Sequence, residues 1–135
     1  MIGILIITET TAALEHIKSL ERLMGNQSAL VGLALSSDTS FESMKNSIEN
    51  SLKQINLKQV LVFNDLWGST QARASQCFLK KGSVESIYGY NFPMLLKSLS
   101  LRNSNMGLEE FIDALMSYGT DHIWHINDAS DRPKC

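Results

Sequence analysis

The sequence predicts an α/β fold: a doubly wound, mostly parallel sheet with helices on both faces. Three observations lead there. Short continuous apolar runs recur at Ile2–Ile7, Ala29–Leu35, Val60–Phe63 and Val84–Tyr88, as strands buried on both faces require. The segments between them carry helical spacing. No linker or low-complexity stretch breaks the alternation.

In chain order, the first run, Ile2-Gly-Ile-Leu-Ile-Ile-Thr8, stops at Glu9. Leu14, Ile17, Leu20 and Met24 then share one helical face, and Gly25 supplies a stop. After the Ala29–Leu35 strand, Ser36-Ser-Asp-Thr-Ser40 offers caps for a helix whose stripe is Phe41, Met44, Ile48, Leu52 and Ile55. The run Val60-Leu-Val-Phe-Asn64 stops at Asp65 and leads into Leu-Trp-Gly-Ser-Thr-Gln71. A third helix is expected from near Ser69 to Gly82, with Lys80 and Lys81 in its last turn. Beyond the Val84–Tyr88 strand, a short helix after Pro93 carries Leu95, Leu96 and Leu99, and another from about Leu108 to Gly119 uses Phe111, Ile112 and Leu115. The last piece, His122-Ile-Trp-His-Ile126, alternates like an edge strand. An exposed edge invites pairing with another chain, which makes a dimer the expectation. Residues 1–127 read as one domain, followed by a polar tail at 128–135.

Composition narrows the function classes. A net charge of −2 gives no basic footprint for nucleic acid. No signal-peptide pattern opens the chain, and no apolar run approaches a membrane span, so the expected location is cytoplasmic. Cys77 and Cys135 are too few for a disulfide framework or a zinc site. They read as reduced thiols, with Cys77 on a buried helix face. No metal-ligand constellation is present, and no cofactor is expected.

The chemistry gathers where strands end. In an open parallel sheet, ligands sit beyond the strand carboxyl ends, so Glu9 and Asp65 are expected in one cleft. Gly68 permits an unusual backbone angle, while Ser69 and Thr70 stand where helix N–H groups are free to bind an anion. Asp65 has the chemistry to orient an imidazole. The plain alternative is that Asp65, Ser69 and Thr70 only cap the next helix.

Three segments in order, Met1-Ile-Gly-Ile-Leu-Ile-Ile-Thr8, Asp65-Leu-Trp-Gly-Ser-Thr70 and Gly89-Tyr-Asn-Phe-Pro-Met-Leu-Leu96, resemble the IIA component of the mannose family of the bacterial sugar phosphotransferase system. They are similar also to the phosphoryl-donor subunit of dihydroxyacetone kinases. The resemblance runs to about Ile126. It implies a doubly wound domain that dimerises, often by exchanging the last strand, and takes phosphate on a histidine from a small histidine phosphocarrier. The phosphate then passes to a IIB component or a kinase subunit, and any membrane link is indirect, through a transporter complex. That histidine follows the Thr ending the first strand, in a Thr/Ser-His-Gly motif. Here Thr8-Glu9-Thr10 stands instead. The family's Asp-Leu-Phe-Gly-Gly-Ser/Thr-Pro has become Asp65-Leu-Trp-Gly-Ser-Thr-Gln71. Asp65, Gly68, Thr70, Asn91 and Pro93 remain.

The resemblance therefore makes Glu9 and Asp65 the catalytic positions, Thr10, Gly68, Ser69 and Thr70 the anion-binding ones, and Trp67, Asn91 and Pro93 the cleft rim. An acyl phosphate on Glu9 is disfavoured by the like charge of Asp65. A fixed charge imitating phosphohistidine, or an inert residue paired with an N–H or Arg73, are the other readings of Glu9. His16 is expected to pack or face solvent, two helical turns beyond the strand end, and His122 and His125 point to opposite sides of the last strand. The preferred function is a regulatory or binding relative that cannot be phosphorylated at the usual place. An active carrier using another acceptor, and a small anion-binding module, are the alternatives.

Overall fold

All six residues of β1 (Gly3–Thr8) are buried, a pattern that only a central strand covered on both faces produces. The same holds for β3 (Val60–Asn64). The computed structural model describes residues 1–128 and places these two strands side by side, with Gly3 opposite Val60 and Ile7 opposite Asn64. Half-buried β2 (Leu30–Ala34) and β4 (Val84–Tyr88) flank them, giving a four-stranded parallel sheet in the order β2-β1-β3-β4. The doubly wound α/β fold expected from the sequence is the one observed.

Strand order decides where the helices go. From β1 the chain steps one way to β2, then returns across the sheet to β3 and β4. Right-handed crossovers put the first connection on one face and the next two on the other. Accordingly α1 (Ala12–Met24), α4 (Phe92–Leu101) and α5 (Leu108–Asp121) pack with Ile4, Ile6, Leu61 and Phe63. On the other face α2 (Phe41–Ile55) and α3 (Thr70–Gln76) pack with Leu5, Ile7, Val60 and Val62. The reversal falls between β1 and β3, so the crevice expected for a ligand opens at their carboxyl ends.

Individual elements differ from expectation for identifiable reasons. In α1 the buried residues are Ala13 and Leu20, with Ile17 partly buried beside them, whereas Leu14 turns outward at 41% exposure. The bare Gly32 of β2 is what lets the backbone at Ala13 and the Ile17 side chain come close to the strand. Helix α2 begins as expected, with the Ser40 hydroxyl accepting the Ser43 N–H. Helix α3 ends at Gln76, not at Gly82. Its chain continues in tight turns, and Gly82, at φ +77°, closes a reversal in which Lys80 and Val84 bond to each other. Cys77 follows the helix and is exposed, not buried.

The final strand is absent from the described chain. Residues 123–128 form no ladder, and Ile123, Trp124 and Ile126 are 75%, 74% and 55% exposed. A strand needs a ladder partner for its backbone, and among the described residues no strand pairs with 123–127. His122 instead closes α5, its ring stacked on Tyr118 and its Nδ1 against the Tyr118 carbonyl. Of the tail expected at 128–135, all but Asp128 lies outside the described residues, Cys135 included.

One buried group has no counterpart in the sequence reading. Arg102, just past α4, is 3% exposed. Its guanidinium donates to the Ala29 carbonyl (3.2 Å), the Gln27 side chain (2.9 Å) and the Ser28 carbonyl (2.7 Å). It clamps the turn leading into β2, where Ala29 takes φ +50°. Burial lowers its pKa from the ordinary value.

Candidate functional site at the carboxyl edge of the sheet

Thr8, Glu9 and Asp65 leave adjacent strands at the same edge. Thr8 itself is buried and works as a joint. Its hydroxyl donates to the Thr10 carbonyl (2.6 Å) and accepts the Ala13 N–H (2.9 Å), so β1 is tied directly to the first turn of α1. The nominal cap, Thr11, makes no side-chain capping bond. The Thr10 hydroxyl is engaged weakly, accepting the Ala12 N–H at 3.4 Å. Glu9 lies between these two threonines, exposed. Among the described residues its carboxylate makes no hydrogen bond and no ion pair, and Arg73 does not reach it.

The β3 end is organised differently. Asp65 is exposed and accepts from the buried Gln71 side chain at 3.5 Å. Leu66 and Trp67 follow at 64% and 67% exposure. The Trp67 ring stands edge-on to Tyr88, centroids 4.7 Å apart, which fixes the loop without hiding the indole. Gly68 takes φ +84°, the left-handed geometry that favours glycine. The Ser69 hydroxyl accepts the Ala72 N–H (3.2 Å) and donates to the Leu66 carbonyl (2.9 Å). Ser69 is thus the N-cap of α3, a helix of seven residues. Thr70 opens that helix and is exposed.

Asn91 and Pro93 shape the rim through α4. The Asn91 side chain accepts the Met94 N–H (3.1 Å) and donates to the Gly119 carbonyl (2.7 Å), joining the start of α4 to the end of α5. Pro93 sits in the first turn, where no backbone donor is needed.

One side chain at this edge, Tyr90, has no counterpart in the sequence analysis, and it is the partner of His16. Tyr90 packs edge-on to Phe63, centroids 5.7 Å apart, and its hydroxyl meets His16 Nδ1 at 3.1 Å. His16 also lies against Phe92. Burial, and then the nearby Asp65 charge, push the Tyr90 phenol up to about 12. Burial pushes the His16 imidazole below its ordinary value, so both groups are neutral at neutral pH. Tyr90, which feels the Asp65 charge, thus holds an imidazole that is supplied by a helix and not by the strand end. Helical periodicity from Ala12 would have placed His16 on the flank next to the core face, but nothing local in the sequence predicts Tyr90 as its partner.

A concavity of about 550 Å³ lies elsewhere, lined by Met1, Leu57, Lys58, Gln59, Gly82 and Ser83. These residues surround the amino ends of β3 and β4, and none of the expected site residues is among them. Among the described residues no cluster of His, Cys, Asp or Glu suits a metal ion.

The model of the family described as PTS system fructose IIA component, of the mannose type, matches residues 3–116. The chain belongs to this family. Solved structures agree on the fold. An EIIA component of the phosphotransferase system from Streptococcus agalactiae is 22% identical over 93% of this chain and 97% of its own, with a TM-score of 0.83. A IIA protein associated with the fucose utilization operon of Streptococcus pneumoniae is 21% identical over 91% of each chain, at 0.78. The mannose/sorbose-specific IIA subunit from Enterococcus faecalis is 17% identical over 99% of this chain and 98% of its own, at 0.80. A comparison with curated proteins gives no match. No helix among the described residues of this mannose-family IIA chain is long and apolar enough to cross a membrane.

Proposed function

We propose that this mannose-family IIA chain is a binding or regulatory relative that cannot be phosphorylated at the usual position. One observation carries the reading. At the end of β1, where the family resemblance expects a phosphoacceptor histidine, Glu9 stands exposed and, among the described residues, without a partner. A carboxylate there supplies a fixed negative charge in place of a transferable phosphoryl group. Asp65, Gly68 and the Trp67 rim supply the remaining surface of the site, with Thr10, Ser69 and Thr70 at the flanking helix starts. The proposed partners are a histidine phosphocarrier protein, a IIB component or kinase subunit, and a second copy of the chain. Residues 1–127 form the proposed domain, working in the cytoplasm.

The test is incubation of the purified chain with phosphoenolpyruvate, the general phosphotransfer enzyme and the histidine phosphocarrier. No acid-labile label is expected on the native chain. Glu9→His together with Thr10→Gly should restore labelling if the rest of the site is competent. Label on the native chain overturns the reading.

The carrier reading has one observation in its favour, the His16 imidazole bonded to Tyr90, a phenol that feels the Asp65 charge. The same experiment decides it. Label that appears on the native chain and disappears in His16→Asn would make His16 the acceptor.

A further inference from the structure

The helices differ in how they are held. Helices α1, α2, α4 and α5 bury Leu20, Met44 and Ile48, Leu95 and Leu99, and Phe111 and Leu115 respectively. The buried residues of α3 are Gln71, Ala72, Ala74 and Ser75, without one large apolar side chain. Between Phe63 on β3 and Phe78 after the helix, the large apolar residues Leu66 and Trp67 are exposed. Phe78 itself packs on the core.

Beneath α3 lies a polar contact. The Asn64 side chain, 0% exposed, donates to Ser75 (3.2 Å) and Ser86 (2.8 Å). Among the described residues its Oδ1 has no hydrogen-bond partner, and neither does the buried hydroxyl of Tyr88, its neighbour across the β3–β4 ladder. Burying an unpaired carbonyl costs free energy that hydration would return. Lifting α3 therefore sacrifices little apolar burial and relieves a buried polar atom.

We infer that residues 65–77 form a strap that opens as one unit, hinged at Asn64 and Phe78, while the sheet and the other helices stay closed. Asp65, Trp67 and the Ser69 cap ride on this strap, so its opening dismantles one wall of the crevice. Local opening units of this kind have few buried apolar contacts and lie at the low end of a protein's stability range. The inference is independent of whether Glu9 or any other residue carries phosphate.

Hydrogen exchange read by mass spectrometry on the native chain tests it. Amides of 70–77 should exchange at least about tenfold faster than those of α1, α2 and α5, and together. Exchange as slow as in those helices overturns the strap. A second arm uses Asn64→Val. The variant removes the unpaired Oδ1 together with the two bonds that Nδ2 donates, of which only the one to Ser75 reaches the strap. Both serine hydroxyls keep other bonds, Ser75 to the Ala72 carbonyl and Ser86 to the Val62 carbonyl, and an unpaired buried carbonyl costs more than one such bond contributes. Exchange of 70–77 should slow by about tenfold, with α1 and α5 unchanged. Equal slowing everywhere, or none at 70–77, overturns the proposed hinge.

Discussion

His16 and Tyr90 couple the site to pH in opposite directions. Burial holds the His16 imidazole below its ordinary 6.5. As pH falls through 6.5 the unfolded chain takes up the proton first, so stability present above that pH is lost below it. For Tyr90 the phenol moves from 10 up to about 12. Above pH 10 the unfolded chain releases its proton first, and stability is lost as pH rises through about 12. Urea unfolding at about pH 5, 7.5 and 11 should show that His16→Leu flattens the acid limb and Tyr90→Phe the alkaline limb. A variant that shifts stability equally at every pH would mean the pair is only packing. The two residues also show where sequence reading stops. His16 was visible as a helix residue near the core face, but its hydrogen bond joins positions 74 apart in the chain. Arg102 was equally hidden, because the carbonyls it binds belong to a turn far from it in sequence.

At the scale of elements, β1, β3, α2 and α5 were legible because each obeys one local period and one cap or stop. The errors share a cause as well. Gly82 was read as the end of α3, whereas it serves a turn that bonds Lys80 to Val84, a choice made by the β4 ladder. In α1 the buried face runs through Ala13 and not Leu14, because the helix backbone at Ala13 lies against a glycine of β2, a contact that carries no large apolar side chain to mark it. That contact yields a measurement. A Cβ on Gly32 would stand 2.7 Å from Ile17 Cδ1 and 3.1 Å from the Ala13 carbonyl oxygen. The side chain can rotate away, but the backbone oxygen cannot. Gly32→Ala should therefore cost about 1–3 kcal/mol by overpacking. A lowered urea midpoint at unchanged slope is the expected result. An unchanged midpoint would show that α1 is free to ride away from β2.

For the whole molecule, the order β2-β1-β3-β4 puts the reversal of winding between β1 and β3, which is why the edge where Glu9 and Asp65 emerge was readable before any coordinates. The fate of the last segment was not, since its alternation points to a strand and no strand among the described residues pairs with it. Ile123, Trp124 and Ile126 expose large apolar surfaces in sequence, and no strand among the described residues covers the outer edges of β2 and β4. The matched family region stops at residue 116, short of this segment. If a second copy takes up residues 122–126 as an edge strand, light scattering should give twice the chain mass. Truncation after His122 should then give a monomer with its secondary structure otherwise intact. In a Trp67→Phe background, Trp124 emission should shift to shorter wavelength as the chain is concentrated, because dimerisation would remove the indole from water. A monomer at every concentration, or a dimer that survives the truncation, would assign this apolar segment no part in self-association.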